Sequence, residues 1–348
     1  LKVMRVGCED WLVDMQVKAF EHIAAKAQTI PCPKVVRSRA NTSLLTLTDE
    51  DGQDRIVWVL SQLPGRCYAQ AHPKSDALIH EVGRVLGCTS LALADFAHAG
   101  LDRDFKWDLM RADWIKDKIT CIENPTRRRI VDEISNHFAR VKPVLDALPS
   151  QAIHNDANDY NIMVSGTLSG PRRVSGLIDL GDMCAAPRIC DLAIAAAYIV
   201  LDHAKPEAAL AALVAGYHEA NPLTAQEVDL IWPLLRARLG VSVVNSTLMA
   251  AENPDDPYVT ISQAPAWRFL ENDAIHGGLL TARLRAACGL PVVDGADRVL
   301  AWLDQERGNF APLMGQNITA APMGSLSVEN STWPQNPFHM PLEEAARV

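Results

Sequence analysis

The spacing of apolar and polar positions changes character near residue 65. Before it, short stretches dominate. Residues 1–6 alternate with the period of a strand, and from residue 9 to about 27 Leu12, Met15, Phe20, Ile23 and Ala24 keep helical spacing. Pro31 and Pro33 end that helix. Residues 35–36, 43–48 and 55–60 read as short strands, with Asp51-Gly52 as the turn between the last two. A strand–helix–strand–strand unit of this size is too small to stand comfortably alone.

Beyond residue 65 the period becomes helical. Ser75 is placed to cap a helix carrying Leu78, Ile79, Val82 and Leu86. Residues 129–148 set Ile130, Ile134, Phe138, Val141, Leu145 and Leu148 on one stripe, with Pro143 marking a kink or a boundary. Residues 151–180 interrupt the pattern with a polar loop, a strand over 162–164, a turn over 166–170 and a strand over 174–179. Helices follow over 190–201, 206–219, 224–248 (capped by Thr224) and 263–272, with a shorter one near 296–306. Residues 308–348 are rich in Pro, Asn and Ser, without periodicity, and read as an extended tail or linker. The expected organisation is therefore three segments, 1–65, 66–307 and 308–348.

Composition narrows the function classes. A chain of 348 residues favours two lobes, and 48% hydrophobic with 22% charged residues is ordinary for a globular protein. A net charge of −9 argues against a nucleic-acid partner, since Arg127-Arg128-Arg129 is the one basic run. The eight cysteines form no C-x-x-C pair and no zinc spacing, which reads as reduced, mostly buried thiols. No apolar run approaches the ~20 residues of a membrane span, and residues 1–30 lack a signal design. The expectation is a cytoplasmic protein with no membrane partner.

The chemistry concentrates in two places. Residues 153–161 read I-H-N-D-A-N-D-Y-N, and residues 178–182 read I-D-L-G-D. Phosphoryl transfer from a nucleotide asks little covalent help from a protein; positioning and charge neutralisation carry it. Asp156 is the candidate to take or orient the proton of an attacking hydroxyl, and Asn161 can offer an amide oxygen to magnesium from the far end of the loop. Asp179, closing an apolar strand, supplies the carboxylate that such a hard cation accepts beside phosphate oxygens. His154 braces the loop in this reading. Asp182 reads equally as a metal or substrate contact and as a turn residue, and Asp191 as a helix cap. Trp107-Asp108 reads as a packed ring with a capping carboxylate. Arg236 and Arg238 on an apolar helix either meet a substrate carboxylate or serve as structural arginines. Gly83 and Gly87 lie within a helical pattern and make no nucleotide loop.

The H-x-D-x-x-x-x-N loop followed by an apolar strand ending Ile-Asp-x-Gly-Asp resembles the aminoglycoside phosphotransferase superfamily, the small-molecule branch of the protein-kinase fold. The resemblance implies an α+β, bilobal protein-kinase-like fold with an incomplete small N-lobe and a mostly helical C-lobe. It makes Lys2 the phosphate-contacting lysine and Gln16 the residue standing where the family carries that lysine's glutamate partner. It also makes 58–63 the hinge strand that receives the base. Gln62-Leu63-Pro64-Gly65, Phe105-Lys106-Trp107-Asp108-Leu109 and Asp191-Leu192-Ala193-Ile194-Ala195 are similar to the hydroxylysine kinase branch. That branch implies a Mg²⁺-bound GTP or ATP as donor and a small amino alcohol as acceptor. Choline, ethanolamine, homoserine and aminoglycoside kinases, and a non-catalytic module, stand as alternatives. Related kinase regions occur fused to a class III aminotransferase, and residues 284–291 resemble the exit from such a region. The family's phosphate-covering hairpin precedes the lysine strand at which this sequence begins, so the expectation is a fragment with weak nucleotide binding.

Overall fold

The computed structural model describes residues 1–26, 30–166, 170–253, 260–272 and 274–292, with single positions as far as 305. The small lobe is built on β4 (Asp54–Leu60), which pairs antiparallel with β1 (Lys2–Val3), β2 (Val35–Val36) and β3 (Leu44–Thr48). The strand expected over 1–6 is confined to β1; beyond it the chain turns between Arg5 and Cys8, with Gly7 at φ +73°, and enters α1 (Asp10–Lys26). Trp58, centrally placed in β4, pairs with Lys2 on one side and Leu44 on the other. Its ring is buried against Phe20 of α1, with ring centroids 6.4 Å apart. The β3–β4 hairpin turns at Gly52, and the Asp49 carboxylate accepts from the amides of Asp51 and Gln53.

The larger lobe is organised around α4 (Ile189–Ile199), every residue of which is buried. Helices α2 (Asp76–Leu93), α5 (Pro206–Ala220) and α6 (Ala225–Glu252) pack on it, while α3 (Pro125–Asp146), α7 (Gln263–Leu270) and α8 (Gly277–Ala287) pack on α6. The cap residues explain the boundaries. Ser75 Oγ accepts from the Leu78 amide, and Thr224 with Glu227 forms a full capping box. α3 starts earlier than its apolar stripe because Asn124 Oδ1 accepts from the Thr126 and Arg127 amides and Pro125 fits the first turn. Pro143 lies in the last turn, and the helix runs on past it to Asp146.

Strands β7 (Ile162–Ser165) and β8 (Arg173–Leu177) form the hairpin expected from the sequence, with β5 (Arg66–Cys67) added at the edge of β7. Two further strands, β6 (Ser150–Ile153) and β9 (Cys184–Pro187), pair with each other, Ile153 opposite Cys184. The long 3₁₀ run Leu109–Cys121 and helix α8 were likewise not foreseen. The helix expected near 296–306 falls largely, and the tail over 308–348 wholly, outside the described residues.

Two cores meet at the site. The larger fills the helical lobe; the smaller joins α1 and β4 to Leu93, Ala152, Leu180 and Met183. Helices α2 and α5 meet at glycines. A Cβ on Gly83 would lie 1.9 Å from the Leu213 carbonyl oxygen, and one on Gly216 would lie 1.9 Å from that of His80. Gly83→Ala is therefore expected to cost about 1–3 kcal/mol, the usual penalty of overpacking a closed interface. A thermal melt of this variant beside wild type checks it.

Candidate active site

The loop between β6 and β7 is held from three directions. From α4, the buried Asp191 carboxylate accepts from the His154 and Asn155 amides at 3.2 and 2.9 Å. The expectation that Asp191 is a helix cap is thereby corrected, since residue 188 precedes α4 with no side-chain cap and Asp191 faces the loop instead. From within, the Asp156 amide donates to His154 Nδ1 at 3.2 Å. That ring nitrogen is then unprotonated, so Nε2–H donates to the Ile178 carbonyl at 3.0 Å. From the residue that follows β8, Ile178 N donates to Asn161 O at 3.0 Å. His154 thus braces the loop, as its sequence position suggested. Asn155, at φ +63°, donates through Nδ2 to the carbonyls of Asp182 at 3.1 Å and Trp107 at 3.3 Å.

Asp156 stands at the centre. Its Oδ2 accepts from Asn161 Nδ2 at 2.8 Å and Asn158 Nδ2 at 3.0 Å, and its Oδ1 from Arg238 Nη2 at 2.9 Å. Burial pushes its carboxyl above the usual range; Arg238 pulls against that, while Asp179 adds to it. Arg238 is 2% exposed. It donates also to the Trp107 carbonyl at 3.1 Å and the Tyr198 hydroxyl at 3.3 Å, and its guanidinium lies 4.6 Å from the centroid of the Trp107 ring. Sequence reasoning weighed Arg238 as a substrate or structural arginine and missed its pairing with Asp156. The available signal, a cation in a mostly apolar helix stretch, pointed to burial and not to a partner.

Asp179 follows the end of β8 by two residues, at φ +64°. Its Oδ1 meets Lys2 Nζ at 3.2 Å and accepts from the Gly181 amide at 3.3 Å. Lys2 is held in turn beside the Trp58 ring, 5.6 Å from its centroid. The two sequence-predicted residues from opposite ends of the site are thus brought together. Gln16 is also buried here, but its amide donates to the Leu12 carbonyl of its own helix at 3.1 Å and abuts the Gly181 turn.

The donor chemistry fits a hard divalent cation. Both contacts to Asp179 fall on Oδ1, which leaves Oδ2 for a ligand. Asn161 directs Nδ2 at the Asp156 carbonyl and carboxylate, which turns its own Oδ1 outward. Among the described residues no group of three or more His, Cys, Asp or Glu could hold a metal by itself. One carboxylate plus one amide oxygen, completed by phosphate oxygens, is the pattern magnesium favours.

Asp182 lies beside this pair with its side chain 38% exposed, 3.9 Å from Arg103. Burial and the neighbouring Asp156 push its carboxyl up. Arg103 donates to the Gly181 carbonyl at 2.6 Å and stacks 4.2 Å from the Phe105 ring centroid. Asp108 caps the 3₁₀ run, accepting from the Met110 amide at 2.9 Å, as expected. Arg236 points elsewhere, toward Trp232.

Residues 13–228 match the Phosphotransferase enzyme family. The chain is 25% identical to hydroxylysine kinase of Mus musculus over 273 residues, covering 75% of this chain and 72% of that protein. Among solved structures, a microcompartment-associated aminopropanol kinase superposes with a TM-score of 0.57 at 16% identity, covering 84% of this chain and 87% of the other. Amicoumacin kinase, solved with AMP-PNP and Ca²⁺, gives 0.54 at 13% identity over 76% of this chain and 78% of the other. Both structures share the bilobal kinase-like fold. With the matched span taking in the helix of Gln16, the Asp156 loop and the Asp179 turn, this chain belongs to the Phosphotransferase enzyme family.

Proposed function

We propose that the protein transfers the γ-phosphoryl group of a Mg²⁺-bound purine nucleotide, GTP or ATP, to the hydroxyl of a small, hydroxylysine-like amino alcohol. The observation that carries this reading is one carboxylate, Asp156, fixed by Asn161 and Arg238 and facing a second, Asp179, that is paired with Lys2. Asp156 orients the acceptor hydroxyl and takes its proton late, in keeping with a loose transition state. Asn161 and Asp179 would hold the metal, which supplies charge neutralisation on the phosphates. Lys2 exchanges Asp179 for the nucleotide's phosphate oxygens. The carboxylates of Asp156 and Asp182 suit an acceptor that carries a cationic amine.

Two measurements test the reading. A panel of 5-hydroxylysine, ethanolamine, choline, homoserine and an aminoglycoside, each with Mg·ATP and Mg·GTP, is expected to give the highest kcat/KM on 5-hydroxylysine. A higher value on any other acceptor moves the substrate assignment there. Lys2→Met is expected to raise the nucleotide KM by about 10-fold, since one exposed ammonium–phosphate contact supplies roughly 1–2 kcal/mol. An unchanged nucleotide KM removes Lys2 from the phosphate site.

A further inference from the structure

A carboxylate offers about four acceptor positions, two on each oxygen. On Asp156, Oδ2 already accepts two hydrogen bonds, from Asn158 and Asn161, and is filled. Oδ1 accepts one, from Arg238 Nη2 at 2.9 Å, and so keeps one open position. The side chain is 22% exposed, and the open position on Oδ1 is the one its hydrogen bonds leave for an acceptor. We infer that Arg238 is a positioning residue of the transfer: it locks the Asp156 carboxylate so that Oδ1 alone receives the acceptor hydroxyl. This rests on the phosphotransfer reading above.

The way Arg238 is held argues for a locking role rather than a simple counter-charge. Its three donating nitrogens meet three separate pieces of the fold: Asp156 in the loop, the Trp107 carbonyl ahead of the 3₁₀ run, and the Tyr198 hydroxyl on α4. The rings of Trp107 and Tyr198 lie 4.6 and 5.6 Å from the guanidinium. A planar fork satisfied at every nitrogen cannot swing, so the plane of the Asp156 carboxylate is fixed with it. A lysine there keeps the charge but has a single nitrogen with which to reach three acceptors on divergent lines. Without the guanidinium, the carboxylate is free to rotate about its own Asn158 and Asn161 contacts, and the open lone pair no longer points at one place. An error of about 1 Å in a reacting group costs on the order of 10²-fold in rate.

The test compares wild type with Arg238→Lys, Arg238→Met and Arg238→Ala, using 5-hydroxylysine with Mg·GTP and Mg·ATP. The expected result is a fall in kcat of about 10²-fold for Arg238→Met, with nucleotide KM unchanged. Arg238→Lys is expected to fall between, since charge without the fork restores attraction but not orientation. Adding methylguanidine at non-denaturing concentration to Arg238→Ala is expected to recover rate, which a purely structural role would not predict. Should Arg238→Met fail to fold, Arg238→Lys carries the test through its kcat with the nucleotide KM held. A folded Arg238 variant at full kcat, or a loss of kcat that tracks loss of nucleotide affinity without methylguanidine rescue, overturns the inference and leaves the function reading standing. A wild-type protein that transfers phosphate to no member of the acceptor panel overturns both.

Discussion

Asp156→Asn is expected to abolish phosphate transfer while the protein stays folded. The amide keeps an oxygen to receive Arg238, so the buried guanidinium retains its hydrogen bond. What it loses is the negative charge that polarises the acceptor hydroxyl, and its NH₂ group now confronts the NH₂ groups of Asn158 and Asn161. General-base groups of this kind contribute about 10²–10⁴-fold, and the whole of that should disappear from kcat. The stability cost should stay below the ~3–5 kcal/mol of a truncated buried ion pair, because an acceptor atom remains in place. Transfer rate, circular dichroism and a thermal melt together check it: a folded variant with near wild-type kcat removes Asp156 from the chemistry.

Asp179→Asn should give an equally large loss of rate with a different signature. Asparagine tolerates φ near +64° as well as aspartate does, so the turn after β8 survives the change. The carboxylate proposed for the metal and the observed partner of Lys2 are removed together. A loss of about 10²-fold or more in kcat is expected from an electrostatic group at the reacting phosphate. Calorimetric titration separates the two variants. Asp156→Asn and wild type should both bind nucleotide more tightly with Mg²⁺ than without, whereas Asp179→Asn should lose that dependence. Retained metal dependence in Asp179→Asn moves the metal site elsewhere.

The parts of the site legible in the sequence were those written locally. Asp156 and Asn161 sit on one loop, and the Asp179 turn is marked by the apolar strand before it and Gly181 after it. Two helices with side-chain caps, at Ser75 and Thr224, were equally readable because the cap and its amide are neighbours in the chain. What escaped notice was created by tertiary contact. Arg238 lies on α6, and nothing near it in sequence signals that it reaches Asp156. Asp191 looked like a cap because it opens an apolar helix; only the packing of α4 under the loop turns its carboxylate to the His154 and Asn155 amides. The β6 and β9 strands, Ser-Gln-Ala-Ile and Cys-Ala-Ala-Pro, have low intrinsic strand preference and exist because each supplies the other's ladder. Helix α8 opens on two glycines, which hide it from propensity. Gln16 shows the reverse: it lies on the helix after the Lys2 strand, where the resemblance put it, but its amide donates to the Leu12 carbonyl of its own helix.

We propose that Asp156, Asn161, Asp179 and Lys2 make one metal-dependent phosphotransfer site. ³¹P NMR of the protein with 5-hydroxylysine and Mg·GTP or Mg·ATP tests it most directly. A new phosphomonoester resonance is expected to grow as the γ-phosphate signal falls, dependent on the acceptor and abolished by chelating the metal. Loss of γ-phosphate that ignores both acceptor and metal, or no loss at all with nucleotide bound, would contradict it and leave a non-catalytic kinase-like module.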